Sequence, residues 1–334
     1  MITGLPFSDD LFQRVLIEPA LRGNSELYVV SGYSSPAMVV QHFDALRGHI
    51  DHLNLDLQIG MACQAGVSRG SIIGYRSLPK QVRNGTVRCR FNTGTPIHSK
   101  IYVWCSSEGP SSAFMGSGNY TQRGFGIGSP ADDQKEIFVE IDPFGAFDYV
   151  IGVSGATVLV DDAEFENLVP VTDGFAFGLS SETDFEPNNA STETHDLVLL
   201  PLVQTTKSPG EVHRAGGGLN WGQRGNRNPN EAYIPIPSSV RSAAFFPDKG
   251  VRFQLLTDDG DSFVATVAQA GGKAIETPED NGLIGSYFRR KLGLVPGEFV
   301  TTDHLRNFGS NAAKIIKVAE NTFQIVFEPG IYYN

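Results

Sequence analysis

The chain has 334 residues, 40% hydrophobic and 10% aromatic, with a formal net charge of −11. That length exceeds one ordinary core, so two domains are expected. With no run of eighteen apolar residues, and no basic and apolar leader after Met1, the sequence points to a cytoplasmic protein with no membrane partner.

Taken in order, ELYVVSGY from residue 26 reads as a strand, and SPAMVVQHFDALRGH as a helix opened by Ser35 and Pro36 and closed near Gly48. LDLQIGMA, TVRCRF, HSKIYVW, SSAFMGS and EIFVEI read as further strands, and DPFGAFDYVIGV as a helix. Strands alternating with amphipathic stretches predict an α/β layer fold, a mixed sheet with flanking helices, over residues 1–165. From Asp161 the texture turns to Asp, Glu, Ser, Thr, Pro and Asn, and residues 166–196 read as an acidic linker. Charge is concentrated there: residues 125–200 hold 16 of the 37 acidic side chains against one basic one. Such a segment could lie in an anion-binding cleft until DNA displaces it, or serve solubility alone. Residues 197–334 offer short runs between Gly, Pro and Asp, namely LVLLPLV, AAFF, VRFQLLTD, DSFVATVAQ, KIIKV and TFQIVF. They predict a mainly β domain with one short helix, NGLIGSYFRRKL.

Cys63, Cys89 and Cys105 are odd in number and form no Cys-x-x-Cys pair, and the seven histidines form no His-Glu-x-x-His. Neither a disulfide framework, a metal nor another cofactor is expected. In HSKIYVW, His98 and Lys100 stand two apart, so on a strand both project from one face. GSGNYT follows, where Gly116 and Gly118 permit close backbone approach and Ser117 and Asn119 supply short polar groups, and QKEIFVEI brings Glu136 to the head of a strand. Separately, each has a plain reading: a wet strand face, an ordinary turn, a solvated acid.

As an ordered set they resemble the phospholipase D superfamily, with its His-x-Lys, Gly-Ser-x-Asn and later Glu. The resemblance implies phosphodiester cleavage without a metal at His98, Lys100, Ser117, Asn119 and Glu136. One imidazole would form a phosphohistidine and a second would protonate the leaving oxygen. Lys100 and Asn119 would stabilise charge on phosphate oxygens, and Glu136 would orient an imidazole. Because this chain has one His-x-Lys, the resemblance implies a homodimer through the N-terminal domain, with two copies of His98 at one site. The sequence departs from the superfamily pattern at Cys105, where an Asp is usual. That weakens a lipid-hydrolase reading more than a nuclease reading.

The second informative stretch is GGGLNWGQRGNRNPNEAYIPIP, residues 216–237. Its Arg, Asn, Gln and Glu side chains can pair with the major-groove edges of guanine, adenine and cytosine. Asn220, Gln223, Arg224, Arg227, Asn230 and Glu231 are the candidate readers, with Glu231 alternatively orienting an arginine and Trp221 a packing anchor. This stretch resembles the recognition arm of a B3-like β-pseudobarrel, in which two arms grip double-stranded DNA. A second arm would lie near VAQAGGKAIETP and offer Gln269 and Lys273. The FRRK cluster ending at Lys291 reads as a solvated helix face or a phosphate contact.

Together the halves resemble restriction endonucleases of the BfiI and NgoAVII kind. These join a phospholipase D-like nuclease domain to a B3-like recognition domain and act in restriction-modification. The reading is a sequence-specific, metal-independent DNA endonuclease. A competing one is a DNA-binding protein whose degenerate nuclease half only dimerises. Some members of this group work with a separate nucleotide-hydrolysing (NTPase) subunit; this chain has no Gly-x-x-x-x-Gly-Lys-Ser/Thr loop, so ATP dependence would have to come from a partner.

Overall fold

A computed structural model describes residues 2–127, 135–172, 197–205 and 208–333. The chain divides into two compact units, Met1–Ser180 with Asp259–Asp261, and Ser181–Asp258 with Ser262–Asn334. Among the described residues no helix is long and apolar enough to cross a membrane.

In the first unit the strands are β1 (Glu26–Ser31), β2 (Leu53–Ile59), β3 (Val67–Ser68), β4 (Gly85–Asn92), β5 (Ile101–Ser106), β6 (Gly109–Gly116), β7 (Phe138–Ile141), β8 (Thr157–Leu159) and β9 (Val171–Thr172). Seven make a mixed sheet in the order β7-β6-β5-β1-β2-β4-β8, while β3 and β9 pair separately. β1, β2 and β4 are mutually parallel; β5, β6, β7 and β8 run antiparallel to their neighbours. The parallel centre is apolar because both faces are covered. Leu27, Val29, Leu55 and Leu57 pack with residues of the helices Pro36–Leu46 and Arg69–Gln81 on one side. On the other, Val30, Ile101 and Val103 meet Ala146 and Val150 of the helix Pro143–Gly152.

Local chemistry sets the ends of these elements. The helix after β1 starts at Pro36 because Ser35 accepts a hydrogen bond from the Met38 amide at 3.2 Å, a cap worth about 1 kcal/mol. The helix Arg69–Gln81 was not expected, since Gly70, Gly74 and Pro79 dilute its pattern; Ser68 caps it by accepting from Ser71 N. β5 begins only at Ile101, so His98 and Lys100 precede the strand instead of lying on it. The packed unit also continues past residue 165: Phe165 is fully buried and β9 pairs with β3. The rest of the expected acidic linker, 173–196, lies outside the described residues, and with it the expected masking of a cleft.

The second unit contains β10 (Leu197–Pro201), β11 (Ile234–Pro235), β12 (Arg252–Thr257), β13 (Ser262–Ala268), β14 (Ala274–Glu276), β15 (Ala312–Ala319) and β16 (Thr322–Val326). Their order is β10-β15-β16-β12-β13-β14-β11, antiparallel except for β12 with β16. The outer strands β10 and β11 approach each other, curling the sheet into the expected mainly β half-barrel. AAFF is not a strand: Phe245 and Phe246 follow the short helix Ser238–Ser242 and pack their rings on Phe253 and Phe323. Besides the expected helix Gly282–Lys291, a third, Thr302–Phe308, opens on a reciprocal cap between Thr301 and His304.

The FRRK cluster is neither solvated nor on the surface. Arg289, Arg290 and Lys291 are all buried. Arg289 donates to the carbonyls of Glu298, Gly285 and Leu219, and burial pushes its pKa down to about 10. Lys291 Nζ donates to Asp258 Oδ2 at 2.9 Å, and the same carboxylate accepts from Tyr287 Oη and Phe327 N. A buried ion pair satisfied on this scale fixes packing and leaves no charge for DNA.

Candidate active site and nucleic-acid interface

The topology brings five chain segments to one edge of the first unit's seven-stranded sheet. β1 and β2 end there, the His98 segment enters β5, β6 ends, and β7 begins. The carboxyl ends of parallel strands are where open α/β sheets leave a crevice. Gly60, just after β2, accommodates the His98 segment: a Cβ there would lie 2.0 Å from Ile97 O, and the Ile97 amide donates to Gly60 O at 3.0 Å. On the other side Lys100 O accepts from Gly116 N at 3.2 Å. The two-residue alternation therefore holds without a regular strand, and both side chains reach the same place.

His98 is exposed while Lys100 is buried. Lys100 Nζ lies 3.1 Å from His98 Nε2, 3.3 Å from Nδ1 and 3.1 Å from the His98 carbonyl. Tyr33 approaches the imidazole edge-on, with ring centroids 5.8 Å apart. Asn119 is held from β1's end: its Oδ1 accepts from Tyr33 N at 3.1 Å and lies 3.3 Å from Ser31 Oγ. With the carbonyl oxygen used this way, the amide Nδ2 is the end left to donate outward. Gly32 keeps the two groups adjacent, since a Cβ there would sit 2.7 Å from His98 Cδ2 and 3.3 Å from Asn119 Oδ1.

Behind them Ser117 Oγ donates to Glu136 Oε2 and accepts from Ile137 N at 3.1 Å, so the serine ties the GSGN turn to the head of β7. Glu136 is buried. Tyr102 Oη donates to Gly118 O at 2.9 Å; burial first, and then the Glu136 charge, raise its pKa well above the usual phenol value. Tyr120 reaches down to His42, whose Nδ1 lies 2.8 Å from the phenol and whose Nε2 lies 3.0 Å from Leu16 O. Full burial pushes His42 down to about 4, so this imidazole is a neutral structural bridge. Thus the structure gathers His98, Lys100 and Asn119, with Ser117 and Glu136 bracing the turn. Sequence reasoning missed Ser31, Gly32 and Tyr33; their signal was a Gly between polar residues at a strand's end, VSGYSS. Among the described residues no group of three or more His, Cys, Asp or Glu could hold a metal ion.

In the second unit the expected arm is a self-braced loop. Asn220 is fully buried: its Nδ2 donates to His213 O and Val300 O, and its Oδ1 accepts from Val300 N at 2.9 Å. No amide edge remains for a base. Gln223 Nε2 donates to Pro229 O and Gly297 O, and Asn230 Oδ1 accepts from Gly297 N. Glu231 pairs with Arg227 Nε at 2.5 Å, so it orients an arginine, the alternative already open for it. Arg224, Asn226 and Arg227 are exposed at the tip, and Trp221 lies under both guanidiniums, 5.9 Å and 4.2 Å from ring centre to Cζ. Asn226 was overlooked although it stood inside the quoted stretch.

The residues of the expected second arm form the β13–β14 turn. Gln269, at φ +63°, donates across it to Glu276 Oε1 at 2.8 Å, while Lys273 is exposed. Arg241, unforeseen in the sequence, donates to Gly271 O and steadies the tip. Because β11 pairs antiparallel to β14, the first arm leads in from one end of the pair and the second from the other.

A family model described as the NgoFVII restriction endonuclease N-terminal PLD domain matches residues 9–167. A second, the NgoFVII C-terminal B3-like DNA-binding domain, matches residues 193–319. No curated protein matches the chain. Among solved structures, NucT from Helicobacter pylori is similar at 15% identity and TM-score 0.31, over 48% of this chain and 99% of that one. A polyphosphate kinase from Porphyromonas gingivalis gives 13% and 0.31, over 46% of this chain and 23% of the kinase. The yeast tyrosyl-DNA phosphodiesterase gives 11% and 0.25, over 42% and 32%. The two family models meet both units in order, and the chain belongs to the NgoFVII family of restriction endonucleases, DNA nucleases with a phospholipase D-like domain and a B3-like DNA-binding domain.

Proposed function

We propose that this sequence-specific DNA nuclease cuts through a phosphohistidine, without a metal, at a site shared between two copies of the chain. The observation that carries the reading is the exposed His98 imidazole beside Lys100 Nζ and the outward amide of Asn119. A ring nitrogen of one His98 attacks phosphorus as the bond to the leaving oxygen breaks, and the second His98 gives that oxygen its proton. Water then attacks phosphorus, losing a proton to the second imidazole as the phosphorus–nitrogen bond breaks and releases the first. Lys100 and Asn119 donate to the non-bridging oxygens, where charge builds. Ser117 and Glu136 keep the GSGN turn in register with β7. Arg224, Arg227 and Lys273 contact the target, Gln269 shaping the second arm.

Cleavage of target-bearing plasmid in excess EDTA tests the chemistry. His98→Ala is expected to lower cleavage by at least about 1,000-fold while specific binding persists. A strict Mg²⁺ requirement for the cut, or a His98→Ala protein that cuts normally, overturns it.

A further inference from the structure

The segment that carries His98 has little packing of its own. Between β4 and β5, Gly94, Thr95 and Pro96 are exposed and Ile97 is half-buried. Pro96 has no amide hydrogen with which to fasten the backbone. Beneath this stretch lies Asn92, the last residue of β4, only 3% exposed. Its Nδ2 donates to Thr95 O at 2.7 Å and to Gly60 O at 3.1 Å, and lies 3.5 Å from Gly94 O. Two hydrogens serve the first two carbonyls, and the third accepts from Cys63 Sγ at 3.1 Å. Three carbonyls around one atom identify it as the nitrogen, because an oxygen there would meet only acceptors. Gly60 O also takes the Ile97 amide, at 3.0 Å, so one carbonyl at the end of β2 holds the segment twice, just before His98.

We infer that Asn92 is a positioning residue for the cut: its amide fastens residues 94–97 to the end of β2 and thereby fixes where the His98 imidazole stands. The inference rests on the reading in which His98 attacks phosphorus. With its side chain buried and its hydrogens spent on backbone carbonyls, Asn92 acts through the segment and not on DNA. An attacking group displaced by about 1 Å loses on the order of 100-fold in rate. Loosening the segment therefore slows the chemical step and leaves target binding, which belongs to the B3-like unit, as it was.

Asn92→Asp keeps the size of the side chain but sets a carboxylate oxygen against three carbonyls. Asn24→Asp is the matched control. Asn24 is also buried and donates to Pro19 O at 2.8 Å, but it precedes β1, at the opposite end of that strand from the His98 edge. Single-turnover cleavage, target binding and the reaction of Cys63 with a thiol reagent are measured on the full chain. The thiol reports on one place, since Cys89 and Cys105 are buried while Cys63 is partly exposed against Gly94. Asn92→Asp is expected to cut about 100-fold more slowly, to bind within about threefold, and to show Cys63 reacting at least about tenfold faster. Asn24→Asp is expected to match the unsubstituted chain in all three. Unslowed cleavage in Asn92→Asp, equal losses in both variants, or slow cleavage with unchanged Cys63 reactivity overturns the inference. A His98→Ala protein that cuts normally sinks the attack reading and the role in the cut with it, while Cys63 reactivity still decides whether Asn92 holds the segment. Should Asn92→Asp fail to fold, side-chain amide exchange is followed in the unsubstituted chain. The Asn92 amide hydrogens are expected to exchange at least about tenfold more slowly than those of exposed Asn226; equal rates overturn the inference.

Discussion

The nuclease edge and the recognition arm use polar residues in opposite ways. At the nuclease edge, residues far apart in sequence converge, and bonds run between segments: Asn119 to Tyr33 and Ser117 to Glu136. In the arm, residues close in sequence hold one another, as Gln223 holds Pro229 O and Glu231 holds Arg227, while Asn220, Gln223 and Asn230 fasten the loop to Val300 and Gly297. A spacing motif encodes a geometry, so its members meet. A rich local composition encodes a loop, and much of it is used in making the loop stand.

The largest expected effect probes the frame beneath the nuclease edge. His42 is neutral and buried, with its pKa lowered to about 4 in the fold against an ordinary 6.5. A depressed folded pKa gives stability that is complete above the unfolded value and is lost as pH falls toward the folded one. The shift corresponds to about 3 kcal/mol, lost from the first unit between pH 6.5 and 4. Thermal unfolding of the intact chain followed by tryptophan fluorescence is expected to show the transition containing buried Trp104 fall over that window. In His42→Gln the fall over the same window should be much smaller. Equal acid sensitivity in both proteins would mean that the frame does not depend on this imidazole.

A smaller effect concerns alignment at the edge itself. In Gly32→Ala the added Cβ would need the space now held by His98 Cδ2, 2.7 Å away. A displacement of that order is expected to cost about 100-fold in single-turnover cleavage, with target binding unchanged. Unaltered cleavage would show that the imidazole has room to move and that the convergence is loose.

The sheet, its first capped helix and the meeting of His98, Lys100 and Asn119 were legible because each rests on a periodicity or a spacing. His98 and Lys100 share a face even though the strand starts later than HSKIYVW implies, since extended backbone alternates with or without a ladder. Ser31, Gly32 and Tyr33 were not legible: they act through a backbone amide, a hydroxyl and a missing Cβ, which leave little trace in one sequence. FRRK misled for a different reason. Three successive cations read as surface, yet Arg289 is satisfied by three carbonyls and Lys291 by Asp258, partners scattered from Leu219 to Glu298.

The smallest effects separate bracing from reading within the arm. Asn220→Ala removes three bonds in a fully buried place and is expected to lower stability by about 1 to 3 kcal/mol. Arg224→Ala touches only the exposed tip; unfolding should be unchanged while target binding weakens by about 1 to 3 kcal/mol and one base position relaxes. Asn226→Ala should resemble Arg224→Ala in kind, because its amide is exposed at the same tip. Glu231→Gln falls between the classes. It keeps the shape but removes the charge holding Arg227, leaving Trp221 as that guanidinium's other support, so binding should drop by no more than about 1 kcal/mol. A change in unfolding for Arg224→Ala, or in target preference alone for Asn220→Ala, would reverse the division, because then the buried amide would be reading DNA and the exposed arginine building the loop.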